Sequence, residues 1–502
     1  KTKIKNEKMK TPLLSIAIIA FLLSCTQPAN NKDITKTDGI ADSSVNDYQF
    51  VHGYPTAATV QKAYDEADLN RAIQCYRFFY PTVSIMATWK GNLKGGLIPN
   101  KVFGILDGTP QQLVFTPNSD TRYAGLGFDL SEGPMVVELP PGPIMAAAND
   151  MNQLYIMDMG LPGPDKGKGG KHLILPPGYM GTIPAGYHAG KSTTNRVLLL
   201  LRAIPLQGGP EAGEAMMKSV KIYPLNKSSD WKSPSWINLN TPGLDFTPVT
   251  WEDNLKYWEE LYEMINAEPP YEPYRVMYGE LAELGIEKGK PFNPDARMKT
   301  ILEKAAKTGD AMMRVESFAD RRPEKQVWKD RKWEWAVLRY DNGTFDTKNF
   351  TDLYAREKWF YQAQIESPAM FNRAPGAGSL YWLGTKDING NYLDGSKTYK
   401  LTVPLPVPDK LFWSITIYDN LTRSEIATDQ NKAALRSLYE LKNKTGSSID
   451  LYFGPSAPAG KEDVWIKTIP NKGWFTYFRI YGPEGPAFDG SWKPGDFEEI
   501  KN

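Results

Sequence analysis

The chain has 502 residues, enough for roughly two to four domains with several large cores. Its 59 basic and 58 acidic residues leave a formal net charge of +1, without the basic stripe of a nucleic-acid-binding protein. The aromatic content of 12%, with 39 prolines and 42 glycines, favours many short strands joined by turns over a helical bundle.

An export signal is predicted at the start of the chain. Lysines precede an apolar run over residues 12–23, which is shorter than the roughly 20 residues of a permanent transmembrane helix. The run ends in Leu22-Leu23-Ser24-Cys25, which resembles a bacterial lipobox, where the cysteine is lipidated and becomes the first residue of the mature protein. We therefore expect a signal peptide over 1–24, lipid on Cys25 and a flexible polar tether over 25–46. The expected location is the bacterial cell envelope, on the periplasmic or surface face of the outer membrane, held by the lipid anchor only.

Residues 55–89 have the apolar spacing of a helix. Over residues 100–205 the period changes to short apolar runs, such as Val197-Leu198-Leu199-Leu200-Leu201, separated by glycine and proline clusters. This pattern is typical of a β-sandwich. Within it, residues 166–171 form a glycine-rich basic loop that lacks the helix N-terminus of a phosphate-binding loop.

Residues from 250 to about 335 are helical again, with Trp251, Leu255 and Trp258 on one predicted face. From Tyr381 the chain returns to strands. Segments such as 412–418 and 474–481 place mostly apolar residues on one face and more polar residues on the other, as a half-buried antiparallel sheet requires.

Several motifs resemble one bacterial family over nearly all of residues 50–500. They include Pro117-Asn118-Ser119-Asp120-Thr121-Arg122-Tyr123, Phe412-Trp413-Ser414 followed by Tyr418-Asp419, and the closing Ser491-Trp492-Lys493-Pro494-Gly495-Asp496. The family joins two domains of unknown function, numbered 1254 on the N-terminal side and 1214 on the C-terminal side.

The resemblance implies a multidomain fold, mainly β with α. We expect an N-terminal helix and an immunoglobulin-like β-sandwich over 47–245, a helical middle domain over 246–375 and a jelly-roll-like β-sandwich over 376–502. The family has no established reaction, so the function has to be argued from the residues.

The first candidate site consists of Asn118, Ser119, Asp120, Thr121 and Arg122. An amide, two hydroxyls, a carboxylate and a guanidinium within five residues suit a pocket for a polyol or a carboxylated ligand. The adjacent Tyr123 is a further ligand-binding candidate. The alternative interpretation is an Asx-turn with a local Asp–Arg pair that shapes a tight loop.

The second candidate site consists of Asp419, Arg423 and Asp429, which follow the strand that carries Trp413. Two carboxylates beside an aromatic platform, Trp413 or Trp474, suit glycoside hydrolysis. A structural interpretation is favoured, an Arg–carboxylate clasp that holds loop 419–430 on the sheet, because the sequence cannot place the two carboxylates at a catalytic distance.

No motif for a metal or a nucleotide occurs in the sequence. The three histidines lack zinc-ligand spacing, and there is no Walker loop, dinucleotide fingerprint or Gly-x-Ser-x-Gly elbow. We therefore predict no cofactor, no metal and no nucleic-acid partner, and expect a small-molecule or glycan ligand.

Three functions are considered. The first is an extracytoplasmic hydrolase of glycans or glycoconjugates with its site between the two sandwiches, Asp120 or Asp429 as acid/base, and Arg122 and Arg423 as clamps for anions or hydroxyls. The second is a non-catalytic lipoprotein that binds a ligand or an envelope partner through the same pocket. The third is a scaffold whose polar motifs only hold loops in place.

Overall fold

The structure is a computed structural model that describes residues 47–205, 208–339, 344–376 and 378–501. It divides the chain into two compact units, residues 1–63 and 64–502. The predicted signal peptide, Cys25 and the tether lie outside the described residues. Across the described ranges, no helix combines the length and the apolar character needed to span a membrane.

The described part of the first unit contains a short hairpin and the first residues of a long helix. Strand β1 (Phe50–Val51) pairs antiparallel with β2 (Tyr54–Pro55). Helix α1 (Ala57–Lys94) follows, and the Thr56 hydroxyl accepts a hydrogen bond from the backbone N–H of Thr59. Such a side-chain cap satisfies an N–H group that has no partner within the helix.

The first sandwich lies between residues 102 and 238. Its strands are β3 (Val102–Leu106), β4 (Tyr123–Asp129), β5 (Met135–Leu139), β6 (Ile144–Asp150), β7 (Tyr155–Gly160), β8 (Gly170–Leu175), β9 (Tyr187–Lys191), β10 (Arg196–Ala203), β11 (Lys221–Pro224) and β12 (Ser235–Asn238). A six-stranded sheet has the order β12-β3-β4-β10-β6-β7, and a four-stranded sheet has the order β11-β5-β8-β9. Leu126 and Leu199 of the larger sheet share one core with Val137 and Ile174 of the smaller sheet.

The helical part packs around the second half of α1. Its further helices are α3 (Lys256–Ala267), α4 (Arg275–Glu283), α5 (Ala296–Phe318), α6 (Leu353–Gln362) and α7 (Pro368–Phe371). Two other helices pack on the sandwiches: α2 (Gly209–Lys218) on the first through Met217, and α8 (Pro486–Asp489) on the second through Ala487. Tyr76 and Phe79 of α1 share a core with Trp258 of α3, Leu302 of α5 and Trp359 of α6.

The second sandwich lies in the C-terminal part. Its strands are β13 (Glu334–Trp335), β14 (Ser379–Gly384), β15 (Thr398–Pro404), β16 (Asp409–Asp419), β17 (Ala434–Arg436), β18 (Ser448–Gly454), β19 (Trp465–Lys467), β20 (Trp474–Pro483) and β21 (Glu498–Ile500). A five-stranded sheet, β13-β14-β20-β16-β17, packs on a four-stranded sheet, β19-β18-β15-β21. Ile415 and Phe478 of the first share a core with Leu401 and Phe453 of the second. The predicted fold class, multidomain and mainly β with α, is confirmed, whereas the domain boundaries stay a prediction.

The larger sheet of each sandwich is covered on both faces. In β20, Phe478 and Ile480 point into the core of the second sandwich. The alternate residues Arg479 and Tyr481 lie on the outer face of the sheet, yet they are also buried. The cover comes from the first sandwich, because Tyr481 packs in one cluster with Ile204 just after β10. Since successive side chains of a strand point to opposite faces, these outer faces form the junction between the two sandwiches.

Candidate functional site

A cavity of about 670 Å³ lies at this junction. One wall is the outer face of the six-stranded sheet, and the opposite wall is the outer face of the five-stranded sheet. Residues 363–370, which follow α6, contribute a third wall.

The wall from the first sandwich is built from residues that pair directly across neighbouring strands. Gly125 of β4 lies opposite Leu200 of β10, Leu200 lies opposite Ala147 of β6, and Ala147 lies opposite Asp158 of β7. All four line the cavity. Because glycine and alanine carry little or no side chain, this row leaves space above the sheet.

The wall from the second sandwich is aromatic and polar. Tyr381 of β14 pairs with Arg479 of β20, and Ser379 pairs with Tyr481. These four residues and Tyr477 line the cavity, and the Ser379 hydroxyl donates a hydrogen bond to the Tyr381 hydroxyl at 2.9 Å.

Arg202, at the end of β10, brings a guanidinium group to the cavity from the first sandwich. Its Nε donates to Thr121 Oγ1 at 2.7 Å, and its Nη2 donates to Asn118 Oδ1 at 2.6 Å. The guanidinium carbon lies 4.6 Å from the centre of the Tyr123 ring. These contacts hold the group in one orientation at the edge of the cavity.

Arg479 brings a second guanidinium group from the opposite wall. Its Nη2 donates to the Thr116 carbonyl at 2.7 Å, and its Nη1 donates to the Tyr418 hydroxyl. The residue is only 3% exposed, and its Nε has no hydrogen-bond partner in the part of the chain that the structure describes.

Both arginines bind the segment of residues 116–121, which runs between the two sandwiches. The Pro117 carbonyl accepts from the Tyr418 hydroxyl, and the Ser119 carbonyl accepts from Arg436 Nη1 at 2.6 Å. Asp120 Oδ2 accepts from the Ser414 hydroxyl at 2.7 Å. The segment is therefore the seam through which the first sandwich docks onto the second.

Asp120 is fully buried in this seam. Burial raises the pKa of its carboxyl, while the hydrogen bond from Ser414 and the charges of Arg479 and Arg202 act in the opposite direction. It lies behind the cavity and is not one of the lining residues.

Asp158 is the one carboxylate among the described residues that line the cavity. It is 4% exposed, and its Oδ2 accepts a hydrogen bond from the backbone N–H of Ala369 at 3.2 Å. Its Oδ1 has no partner within the described ranges. Burial raises the pKa of Asp158 to about 7, so the group exchanges protons near neutral pH.

The exposed lining residues mark the mouth of the cavity. Leu161, Pro162 and Lys166 belong to the loop between β7 and β8, and Lys410 and Leu411 belong to the start of β16. Lys166 lies in the basic glycine-rich loop noted in the sequence. The mouth thus carries one lysine from each sandwich.

The first predicted cluster is divided by the structure. Asn118 and Tyr123 line the cavity, and Asp120 lies behind it. Arg122 points away and forms ion pairs with Glu211 and Glu214 of α2. The local Asp120–Arg122 pair of the alternative interpretation does not form, because Arg122 pairs with α2 and Asp120 accepts from Ser414 of the second sandwich. The Asx-turn of that interpretation is present, since the Asn118 side-chain oxygen accepts from the backbone N–H of Asp120 at 3.2 Å.

The second predicted cluster does not reach the cavity. Asp419 Oδ1 accepts from the backbone N–H of Leu421 at 2.8 Å, and its Oδ2 pairs with Lys472 at 3.0 Å. Asp429 has a side chain that is 76% exposed and pairs with Lys467 at 2.6 Å. The structure therefore does not bring Asp120 and Asp429, the two catalytic candidates, together, because one is buried in the seam and the other faces solvent.

Arg423 is fully buried and lies apart from both predicted carboxylate partners. It forms an ion pair with Glu252 and donates to the Tyr80 hydroxyl at 3.1 Å. It therefore joins the loop after β16 to α1 and to the start of the helical part. The clasp predicted with Asp419 or Asp429 is made with Glu252 instead.

Trp413 and Trp474 belong to the core of the second sandwich. Trp413 stacks on Phe478 with ring centres 5.5 Å apart, and Trp474 stacks on Phe453 at the same distance. Neither ring lines the cavity, so neither is placed to stack on a ligand there.

Sequence reasoning missed Arg202, Arg479, Tyr381 and Asp158. For the three charged residues, the signal was a charged side chain inside a mostly apolar strand, as in Met157-Asp158-Met159 or Phe478-Arg479-Ile480. A charge in such a strand marks a face that meets something other than the apolar core.

Two family models match the chain. Residues 102–224 match the family described as Protein of unknown function (DUF1254), and residues 378–485 match the family described as Protein of unknown function (DUF1214). The resemblance identified from the motifs is confirmed, and each matched range supplies one of the two cavity arginines. No curated protein matches the chain.

Two solved structures are similar to it. The VPA0106 protein from Vibrio parahaemolyticus has a TM-score of 0.55 at 17% identity, with 86% of this chain and 100% of that chain covered. An uncharacterized protein from Burkholderia cenocepacia has a TM-score of 0.39 at 11% identity, with 88% of this chain and 97% of that chain covered. The first similarity concerns the fold alone.

The raised pKa of Asp158 predicts a pH-dependent stability. The folded state keeps a proton that the unfolded state releases above the ordinary pKa, so this group lowers the free energy of unfolding as the pH rises from about 4 to about 7. Asp158→Asn removes the effect. Relative to wild type, the variant should gain about 2 to 3 kcal/mol between about pH 5 and about pH 7.5, as measured by urea denaturation. An equal difference between the two proteins at both pH values would contradict the assignment.

Proposed function

We propose that this chain, which matches family models of unknown function over residues 102–224 and 378–485, binds a small molecule with a largely apolar body between its two sandwiches. The observation that carries the proposal is the cavity of about 670 Å³. Small-molecule sites have volumes of about 300 to 1,000 Å³ and combine mostly apolar walls with a few fixed polar groups.

The position of the cavity supports this proposal. Protein interiors are close-packed and hold few voids larger than a water molecule. A junction that served only to join two domains would bring side chains into contact across it. Here the small residues Gly125 and Ala147 leave the space between the two walls unfilled. The polar groups of Asn118, Arg202 and Arg479 are held in place by the seam.

The walls favour an apolar ligand over a glycan. Most lining side chains are apolar, among them Leu106, Val114, Phe115, Leu200, Leu239, Phe246, Ile365 and Met370. Glycoside hydrolysis in its usual form requires two carboxyl groups on either side of the bond that is cleaved. Within the described residues the lining contains one, Asp158.

Filling the cavity should abolish binding. The neutral apolar fluorophore N-phenyl-1-naphthylamine should bind the wild-type protein saturably, with the rise in emission that apolar surroundings cause. Ala147→Trp places an indole ring in the cavity and should weaken binding by at least about tenfold, which corresponds to about 1.4 kcal/mol. Fluorescence titration gives both affinities.

The matched control is Ala189→Trp. Ala189 is exposed on β9 of the four-stranded sheet, outside the lining, so this variant should bind the probe like wild type. The proposal is wrong if the wild type shows no saturable binding, or if Ala147→Trp folds normally and binds as tightly as the control.

Hydrolysis in the same cavity is a second candidate function, favoured by Asp158. A buried carboxyl with a pKa of about 7 and one free oxygen has the properties of a general acid or base near neutral pH. The substrate could be a glycoconjugate or another hydrolysable compound with an apolar part.

A substrate panel tests this second candidate. If nitrophenyl glycosides or esters are turned over, Asp158→Asn should lower the rate by about 100-fold or more, because general acid–base catalysis contributes that much, and should still bind N-phenyl-1-naphthylamine. No wild-type turnover across the panel would exclude hydrolysis of these substrates and leave the binding proposal intact.

We also propose export and lipid attachment at Cys25, with the protein on the periplasmic or surface face of the outer membrane. The support is the apolar run followed by Leu22-Leu23-Ser24-Cys25. Cys25→Ala should abolish incorporation of labelled fatty acid and move the protein out of the membrane fraction, because acyl chains supply the membrane affinity. Equal labelling of the variant and the wild type would contradict the proposal.

A further inference from the structure

The cavity carries an excess of positive charge. Four cationic side chains line it, Lys166, Arg202, Lys410 and Arg479, against the single carboxylate of Asp158. Two of the cations are exposed at the mouth, and the other two lie inside. Charged side chains are rarely buried in apolar surroundings unless they pair with an opposite charge or a hydrogen-bonding group.

The two inner cations approach from opposite walls. Arg202 extends from β10 and lies 5.7 Å from the Tyr481 ring centre, and Arg479 stands two residues before Tyr481 on the same face of β20. Arg479 in turn lies 5.4 Å from the Tyr381 ring centre. The guanidinium groups and the two tyrosine side chains thus form one polar recess in the lining of the cavity.

Among the described residues, no carboxylate forms a direct ion pair with the guanidinium groups of this recess. Within the described ranges, neither Arg202 nor Arg479 has a carboxylate oxygen within 4.0 Å, although the structure pairs other buried arginines, such as Arg423 with Glu252. Two buried carboxyl groups lie farther away: Asp120 interacts electrostatically with Arg202 and Arg479, and Glu425 interacts with Arg479. A guanidinium group stays charged in proteins, so one further anionic group would complete the site.

The geometry of arginine indicates which anion fits. The planar guanidinium fork matches the oxygens of a carboxylate or a phosphate, and buried pairs of this kind use arginine in preference to lysine. Hydrogen bonds to two residues of the seam already orient the guanidinium groups: Arg202 donates to Asn118, and Arg479 donates to the Thr116 carbonyl. Arg479 keeps an Nε–H without a protein partner.

From this arrangement we infer that the ligand is an anionic amphiphile. Its carboxylate or phosphate head binds between Arg202 and Arg479, and its apolar body lies along Gly125, Ala147 and Leu200. The lysines at the mouth attract the anion during entry. The inference rests on the proposed binding function and names the chemical class of its ligand.

Three compounds with the same apolar chain test the inference on the full-length wild-type protein. Decanoate, decyl phosphate and 1-decanol are titrated against bound N-phenyl-1-naphthylamine. At least one of the two anions should displace the probe at a concentration at least about tenfold lower than 1-decanol. The anion that does so identifies the head group as a carboxylate or a phosphate.

Variants assign the effect to the recess. Arg202→Gln and Arg479→Gln should each lower the affinity for the preferred anion by at least about tenfold more than they lower the affinity for 1-decanol. Arg122→Gln is the matched control, because Arg122 pairs with α2 outside the cavity. Lys410→Gln, at the exposed mouth, should slow association of the anion only.

The outcomes separate the two proposals. If N-phenyl-1-naphthylamine does not bind, the binding function itself is wrong. If the probe binds and 1-decanol displaces it as well as both anions do, the function stands and the anionic class is wrong. Because Arg479 also supports the seam, this comparison on the wild-type protein decides the inference even if an arginine variant fails to fold.

Discussion

Residues 116–120 leave the first sandwich and cross the outer face of the second, where side chains bind their carbonyl groups. Arg479 holds the Thr116 carbonyl, Tyr418 holds that of Pro117, and Arg436 holds that of Ser119. Backbone groups buried without partners are costly, so this segment keeps its place only while the second sandwich supplies those donors. The seam thereby sets the distance between the two walls of the cavity and orients the polar groups within it.

The same contacts give the arginines two roles. Arg202 and Arg479 each donate hydrogen bonds to residues of the seam, and both side chains also line the cavity. Gly125 and Ala147 complete the arrangement, because larger side chains there would close the space that the seam leaves open. An apolar body and an anionic head are the features that such a site can recognise together.

Much of the fold could be predicted from the sequence, because strand periodicity is a local property. The same periodicity was sufficient to predict that Trp413 is a core residue. Trp413 shares a face with Ile415 and Ile417 and therefore points into the core. The segment containing Asn118 and Tyr123 was identified as important, but the orientation of Arg122 depends on α2, far along the chain.

The rest of the site could not be predicted, because it arises from contacts between distant parts of the chain. Arg202 and Arg479 belong to different sandwiches, and in the sequence each is a charged residue within a mostly apolar segment. Asp429 belongs to a recognisable motif, yet its side chain faces solvent beside Lys467. Arg202 and Arg479 are distinguished from Asp429 only by the docking of the outer faces of the six-stranded and five-stranded sheets.

The most direct test of the central claim is a crystal structure of the protein with the preferred anion, decanoate or decyl phosphate, carrying bromine at the end of its chain. Anomalous scattering locates the bromine, and the electron density locates the anionic head group. We expect the head group within hydrogen-bonding distance of Arg202 or Arg479, and the bromine among the apolar lining residues. A head group remote from both arginines, or no bromine in the cavity at a saturating concentration, would contradict the account.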